Sequence, residues 1–518
     1  MRQMGNHEDV CIAGTDFPLQ RAVPDHQGSA MPVLAIALLF GAAHMLTNGQ
    51  YGFHRDEWQF LSDARHLDWG FVPYPPLTAA LEWLGLKVFG LSLVGLRLFS
   101  VLAQVLVIFA GGMMTRDLGG GRVAQAFAAL AVGLSPVPMF EATEFQYSSF
   151  DLLWWVLLAW CVIRLLRDDE PRWWLAIGLV AGLGMQTKYS IAFELAGVLV
   201  GLLFTDARRH LVSGWFWAGG AVALLIVTPN LVWLIRHDFV SYYFLQTIHA
   251  RDVQLGRAHG FVRDQFLLNA NLFAALVWLA GLFACFRNRR YRMLGWMYLV
   301  PLLLFGFAQG RFYYLCGAYP ALLAMGAVVS EQWLRRRRPV WRISIATLAF
   351  AGVFVIGLYA ALRIVPIAAS GPLRDYALRN NADLREEIGW HQMVAQVASI
   401  RDALPADQRA HLGIAVGNYG EYGAIALLGP RYHLPAPIST VNSAWLRGYP
   451  HPPPTTLIVL GNPRKRVDQL FTLCRVAGHA TNALGVVNEE SLEHADIFVC
   501  GPARGPWSVL WKHGPSFN

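Results

Sequence analysis

Gly214 to Ile235 reads GWFWAGGAVALLIVTPNLVWLI, a run without one charged side chain. A helix needs about 20 apolar residues to cross a bilayer's hydrocarbon core, so this block is long enough to span. Trp341 to Leu362 (WRISIATLAFAGVFVIGLYAAL) is a second such block, carrying only Arg342. Working outward from these two, apolar segments recur at about 31–49, 90–113, 123–140, 149–167, 172–187, 189–205, 266–286, 293–308 and 312–333, which with 214–236 and 341–364 makes eleven candidate spans. Composition agrees: the 518 residues are 55% hydrophobic and 15% charged, where a soluble protein carries roughly 25% charge. The fold class expected is a polytopic α-helical membrane protein. The net charge of +8 does not indicate a nucleic-acid partner, because the basic residues recur between apolar blocks instead of gathering on one face.

Those basic residues set an orientation, since positive charge is retained on the cytoplasmic side. The connectors after even-numbered spans hold sixteen Arg, in brief loops around 116–122, 164–172, 208–209, 287–292 and 335–342. The connectors after odd-numbered spans hold nine Arg or Lys over much longer sequence. Residues 1–30 therefore read as a cytoplasmic tail, 31–365 as the membrane domain, and the odd-numbered loops as outward-facing. From Pro366 to Asn518 there are thirteen basic and twelve acidic residues, frequent Pro and Gly, and no segment able to span. Apolar runs at His411–Val416, Thr456–Leu460 and Asp496–Cys500 read as buried strands, and Arg385–Ala403 has helical spacing. The expectation for 366–518 is a soluble α/β domain on the outer, periplasmic side. Cys474 and Cys500 are its only thiols, and the sequence allows a disulfide and two buried free thiols equally. The six Cys show no metal-ligand spacing, so no metal site is assigned.

The candidate chemistry lies in the outward loops. Directly after the first span come His54, Arg55, Asp56 and Glu57 among aromatic residues, and two adjacent carboxylates at the mouth of a membrane helix either face water or are used. The same loop continues through Tyr74-Pro75-Pro76, whose prolines stiffen the chain. The second outward loop adds Glu144, Gln146 and Asp151. Lys188, one of only four Lys, sits in a short turn before Tyr189, and Arg311 sits in a similar turn before Tyr313. Two outward turns thus each bring one cation to the membrane surface, where a phosphate would gain charge-assisted hydrogen bonds.

An Asp-Glu pair after the first span, a downstream Pro-Pro-Leu, a Lys-Tyr turn, and an Arg before Tyr-Tyr and Tyr319-Pro320 resemble the bacterial family 39-type glycosyltransferases. That superfamily includes protein O-mannosyltransferases and lipid A aminoarabinose transferases and has the membrane-embedded type C fold. The resemblance covers spans one to ten and extends into the tail at Asn418–Ala424 and Asn442–Trp445. It implies a polyprenyl-phosphate-linked sugar as donor, a lipid, glycan or protein as acceptor, and transfer with inversion at the outer face of a bacterial inner membrane. It makes Asp56 the general base, Lys188 and Arg311 the donor-phosphate ligands, and His54, Glu57, Tyr74, Glu144, Gln146, Asp151, Tyr189 and Tyr313 substrate contacts. No cofactor is assigned, and a divalent cation is left open. Aminoarabinose transferases place a Lys before the Pro-Pro where this chain has Tyr74, which argues against that sugar and against lipid A. The competing class is a transporter or lipid flippase using the same charges as a passage, which would show repeated halves and broken helices.

Overall fold

The computed structural model describes residues 30–517; the tail expected at 1–30 lies outside them but for Ala30. Helices occupy all eleven apolar segments. Five are long and apolar enough to cross a membrane alone: Leu93–Asp117, Tyr147–Asp168, Gly214–Arg236, Phe312–Arg335 and Pro339–Ile364. A sixth span is formed if Phe261–Leu267 and Leu272–Arg287, which meet at 93°, count as one broken helix. Asn271 holds that bend by donating to the carbonyls of Leu134 and Val353. The segment at 123–140 is also broken, into Arg122–Gly133 and Pro136–Phe140. Pro136 has no N–H to continue the helix and drives Ser135 into an extended conformation.

Three segments expected as loop are helical. Arg55–Ala64 and Leu77–Phe89 fill the first loop, and Val240–Gln254 lies beyond the Gly214–Arg236 span. His54 starts the first of these. It is extended, its Nδ1 accepts from the Asp56 N–H, and Glu57 reaches back to the His54 N–H, a reciprocal cap.

Residues beyond the last membrane helix form an α/β domain on a five-stranded sheet. Its strands are β1 (Leu412–Val416), β2 (Pro437–Ile438), β3 (Thr456–Leu460), β4 (Arg475–His479) and β5 (Asp496–Cys500), in the order β2-β1-β3-β5-β4. β1 runs parallel to β2 and β3, while β5 is antiparallel to β3 and β4. The buried runs of β1, β3 and β5 match the sequence expectation. β4 was not expected because its residues are largely exposed and its pattern is polar. Cys474 and Cys500 are joined as a disulfide.

This domain does not keep its core to itself. Phe53, Trp58 and Leu61 from the first loop, with Leu96 from the following span, are buried together with Trp390, Val394, Ile414 and Ile425. Trp58 is 0% exposed. Gly423 allows the approach, since a Cβ there would collide with the Trp58 carbonyl. The Arg55–Ala64 helix is thereby clamped between the membrane bundle and the helix Tyr419–Leu428, which follows β1.

Candidate active site

Asp56 and Glu57, adjacent in sequence, point to different surroundings. Glu57 is buried under Arg97, which donates from Nε to Oε1 at 2.9 Å and from Nη2 to Oε2 at 2.7 Å. The N–H groups of His54 and Phe145 complete its shell at 2.7 and 2.8 Å. Arg97 also reaches Glu387 of the C-terminal α/β domain and the carbonyls of Asn48 and Gly52. With both oxygens so engaged, Glu57 ties the bundle to the domain and offers no lone pair to a substrate.

Asp56 accepts from the Gln146 amide at 2.9 Å and from the Tyr419 hydroxyl at 2.7 Å. Burial opposes its ionisation, but His54, Arg55 and these two hydrogen bonds outweigh that and hold its carboxyl below the ordinary aspartate value. It is an ionised carboxylate with neutral donors only in direct contact, an arrangement that can accept a proton. His54 Nδ1 lies 3.1 Å from Glu144, whose carboxyl is pushed well up by burial and by the carboxylates of Glu57 and Asp383.

Lys188 is ringed by tyrosines, its ammonium 4.9 Å from the ring centre of Tyr147, 5.3 Å from Tyr313 and 4.6 Å from Tyr314. Asp151 lies 3.9 Å away and accepts from Ser190 at 2.6 Å. Burial lowers the Lys188 pKa, but Asp151 and the tyrosines more than reverse this, so it stays charged. Arg311 is held by Asp252 through Nε at 2.6 Å and Nη2 at 2.8 Å, and Arg257 shares that carboxylate. Tyr147 also packs edge-on to Phe60, on the same helix as Asp56, at 5.7 Å. A row of aromatic rings thus joins the Asp56 helix to Lys188 and on to Tyr313.

Two other candidates fall outside this row of polar contacts. The Tyr74 hydroxyl donates to Asp63 at 2.5 Å, and Asp63 pairs with Arg447 of the C-terminal α/β domain; Tyr74 is buried as a domain tie. Tyr189 donates to Asn230 at 3.0 Å, and Asn230 in turn donates to the Trp69 carbonyl. Sequence reasoning missed Arg97, Asp252 and Tyr419 as residues that position this site. Arg97 was visible as a lone charge inside an apolar block, which in a membrane segment marks a paired or functional group. Tyr419 carried no such signal, because its contact to Asp56 joins residues 363 apart.

Residues 73–233 match the family described as dolichyl-phosphate-mannose-protein mannosyltransferase. The architecture is similar to that of ArnT from Cupriavidus metallidurans, solved with undecaprenyl phosphate, with a TM-score of 0.53 and 15% identity over 92% of this chain and 98% of that one. The chain has the type C glycosyltransferase fold. Among relatives of known sequence, a lipid A galacturonosyltransferase from Rhizobium johnstonii is 28% identical over 273 residues, 50% of this chain and 56% of the relative. An undecaprenyl phosphate-alpha-4-amino-4-deoxy-L-arabinose arabinosyl transferase from Pseudomonas fluorescens is 24% identical over 381 residues, 66% of each. The type C chain therefore spans about half to two-thirds of the length of these relatives. The matched family segment includes Lys188 and stops short of Arg311; it begins after Asp56.

Proposed function

We propose that the protein is a membrane glycosyltransferase that moves a sugar from a polyprenyl monophosphate carrier to a hydroxyl of a periplasm-facing acceptor, with inversion. One observation carries the reading: an ionised Asp56 with only neutral donors in contact, its helix joined through the edge-on Phe60–Tyr147 pair to a caged Lys188. In this mechanism Asp56 takes the proton of the acceptor hydroxyl as its oxygen bonds to the anomeric carbon. The bond from that carbon to the phosphate oxygen breaks, and the carrier phosphate leaves with one more negative charge. Lys188, with Arg311, stabilises that charge as it develops. The names of the relatives support a polyprenyl-phosphate donor and an envelope glycolipid as acceptor. The distribution of Arg between loops supports an orientation with the N-terminal side inside.

The test is release of free polyprenyl phosphate by purified protein given polyprenyl-phosphate sugars and membrane glycolipid extracts. Release in proportion to acceptor is expected, and a protein that moves the intact lipid across vesicles without releasing phosphate would favour the flippase class. In a Lys188→Ala, Arg311→Ala double variant, binding of polyprenyl phosphate is expected to fall by at least about tenfold, since charge-assisted hydrogen bonds contribute roughly 1.5–3 kcal/mol each.

A further inference from the structure

The soluble domain holds a cleft of about 700 Å³, within the roughly 300–1,000 Å³ typical of small-molecule sites. It lies at the carboxyl ends of the three parallel strands, where β1 gives way to Gly417-Asn418, β2 to Ser439-Thr440 and β3 to Gly461-Asn462. The chain leaves β1 for β2 on one side and returns to β3 on the other, and open α/β sheets bind ligands at such reversals. Gly461, at φ +68°, has no Cβ, and the space a Cβ would take is filled by the Glu421 carboxylate.

Two side chains there are built for a ligand that is not protein. Glu421 is 1% exposed with Oε2 unpartnered, and Glu490 is 6% exposed with the Glu386 carboxyl as its side-chain neighbour. Leaving a buried polar group unsatisfied costs about 1–3 kcal/mol, and both line the cleft. Trp507 and Trp511 line it too, their rings 6.2 Å apart. Trp511 is fixed by a reciprocal pair of hydrogen bonds with Trp445. Carboxyls that accept or share hydroxyl protons, beside rigid indole faces, suit the polar edge and the apolar face of a pyranose ring. Arg466 is the one Arg or Lys in the lining, and burial pushes the Glu421 and Glu490 carboxyls up, so they meet a ligand as neutral donors and acceptors, which suits hydroxyl groups better than a phosphate or uronate.

The cleft also adjoins the candidate base. Asn418 lines it, and the next residue, Tyr419, donates to Asp56. Glu489 lines it and pairs with Arg55. We infer that this cleft is a sugar-binding subsite that takes an uncharged, hydroxyl-rich unit of the acceptor and presents its neighbouring part to Asp56. The acceptor role rests on the glycosyl-transfer reading; sugar binding in the cleft does not.

The test titrates full-length protein in detergent with the methyl glycosides of glucose, galactose, mannose and N-acetylglucosamine, and with glucose 6-phosphate and galacturonate, by saturation-transfer NMR and tryptophan fluorescence. At least one neutral glycoside is expected to saturate, with both charged sugars binding at least about tenfold more weakly. Glu490→Ala and, as a second variant on a less buried residue, Trp511→Ala are each expected to weaken it about tenfold, the loss of one charged-group hydrogen bond or one stacking face. Absence of neutral-sugar binding, equal binding of charged sugars, or unchanged affinity in both variants overturns the inference. Binding that persists in a protein unable to release polyprenyl phosphate keeps the cleft and overturns its acceptor role.

Discussion

Around Glu57, the membrane bundle meets the C-terminal α/β domain through charges that satisfy one another: a bidentate Arg97, two backbone N–H groups and Glu387 beyond. Around Asp56, one residue earlier on the same helix, the contacts are an amide and a phenol. Glu57 is buried with its acceptor positions filled, whereas Asp56 is only half-buried and accepts two hydrogen bonds, which leaves it able to receive a proton. Two adjacent carboxylates thus sit in different environments, with the helix turn of about 100° per residue separating them; the proposed division is into a structural tie, Glu57, and a base, Asp56.

The comparison breaks most sharply at Asp56. Asp56→Asn is expected to lower the rate of sugar transfer by about 10²–10⁴-fold, the usual contribution of a positioned base, with the melting temperature unchanged; a wild-type rate in a folded variant removes the base. Arg97→Ala should act in the opposite way. It leaves Glu57 and Glu387 buried without their partner, which costs about 3–5 kcal/mol of stability, read as loss of folded protein in a detergent melt. If Arg97→Ala instead folds normally and loses only transfer, the division into scaffold and reactive group fails.

Much of the membrane domain was legible because hydrophobic length is a local property: Gly214–Ile235 can be read alone. The strands β1, β3 and β5 were legible for the same reason, as each is a short buried run. What sequence concealed was long-range pairing. Glu57 and Asp56 look equivalent until Arg97 is placed against one and Tyr419 against the other. Tyr74, at a position where a relative group has Lys, proves to be a buried tie to Asp63, a role that depends on Arg447 far along the chain. Helix Val240–Gln254 was read as loop because its polar and apolar residues follow no clear face.

Smaller effects sharpen the same contrast. Asp56 is held below the ordinary aspartate value of 3.8, so the ionised base persists as pH falls and is lost only on passing the depressed folded-state pKa. The acid limb of kcat/KM is expected below the ordinary aspartate range, and Gln146→Ala, which deletes one donor, should move it upward. A limb that stays in place would show that Gln146 does not hold the carboxylate. The domain's Glu421 has the reverse sign. Burial first, and then Glu489, raise it from 4.5 to about 8, so the folded state binds the proton more tightly than the unfolded chain. That stabilisation is full below about 4.5 and lost as pH rises through about 8. The apparent Tm should therefore fall across that window, with Glu421→Gln flattening the slope.

The shared core has a consequence for how such proteins can be recombined. Because Phe53, Trp58 and Leu61 are packed among Trp390, Val394 and Ile425, a cut at 365 does not separate two self-sufficient modules. A tail transplanted from a relative would arrive without the apolar residues that close its interior, and the recipient's loop would present them to a foreign surface. Exchange of the C-terminal domain between similar proteins would have to carry residues 53–61 along with 366–518, so that the segment bearing Asp56 and the domain over it are inherited as one unit.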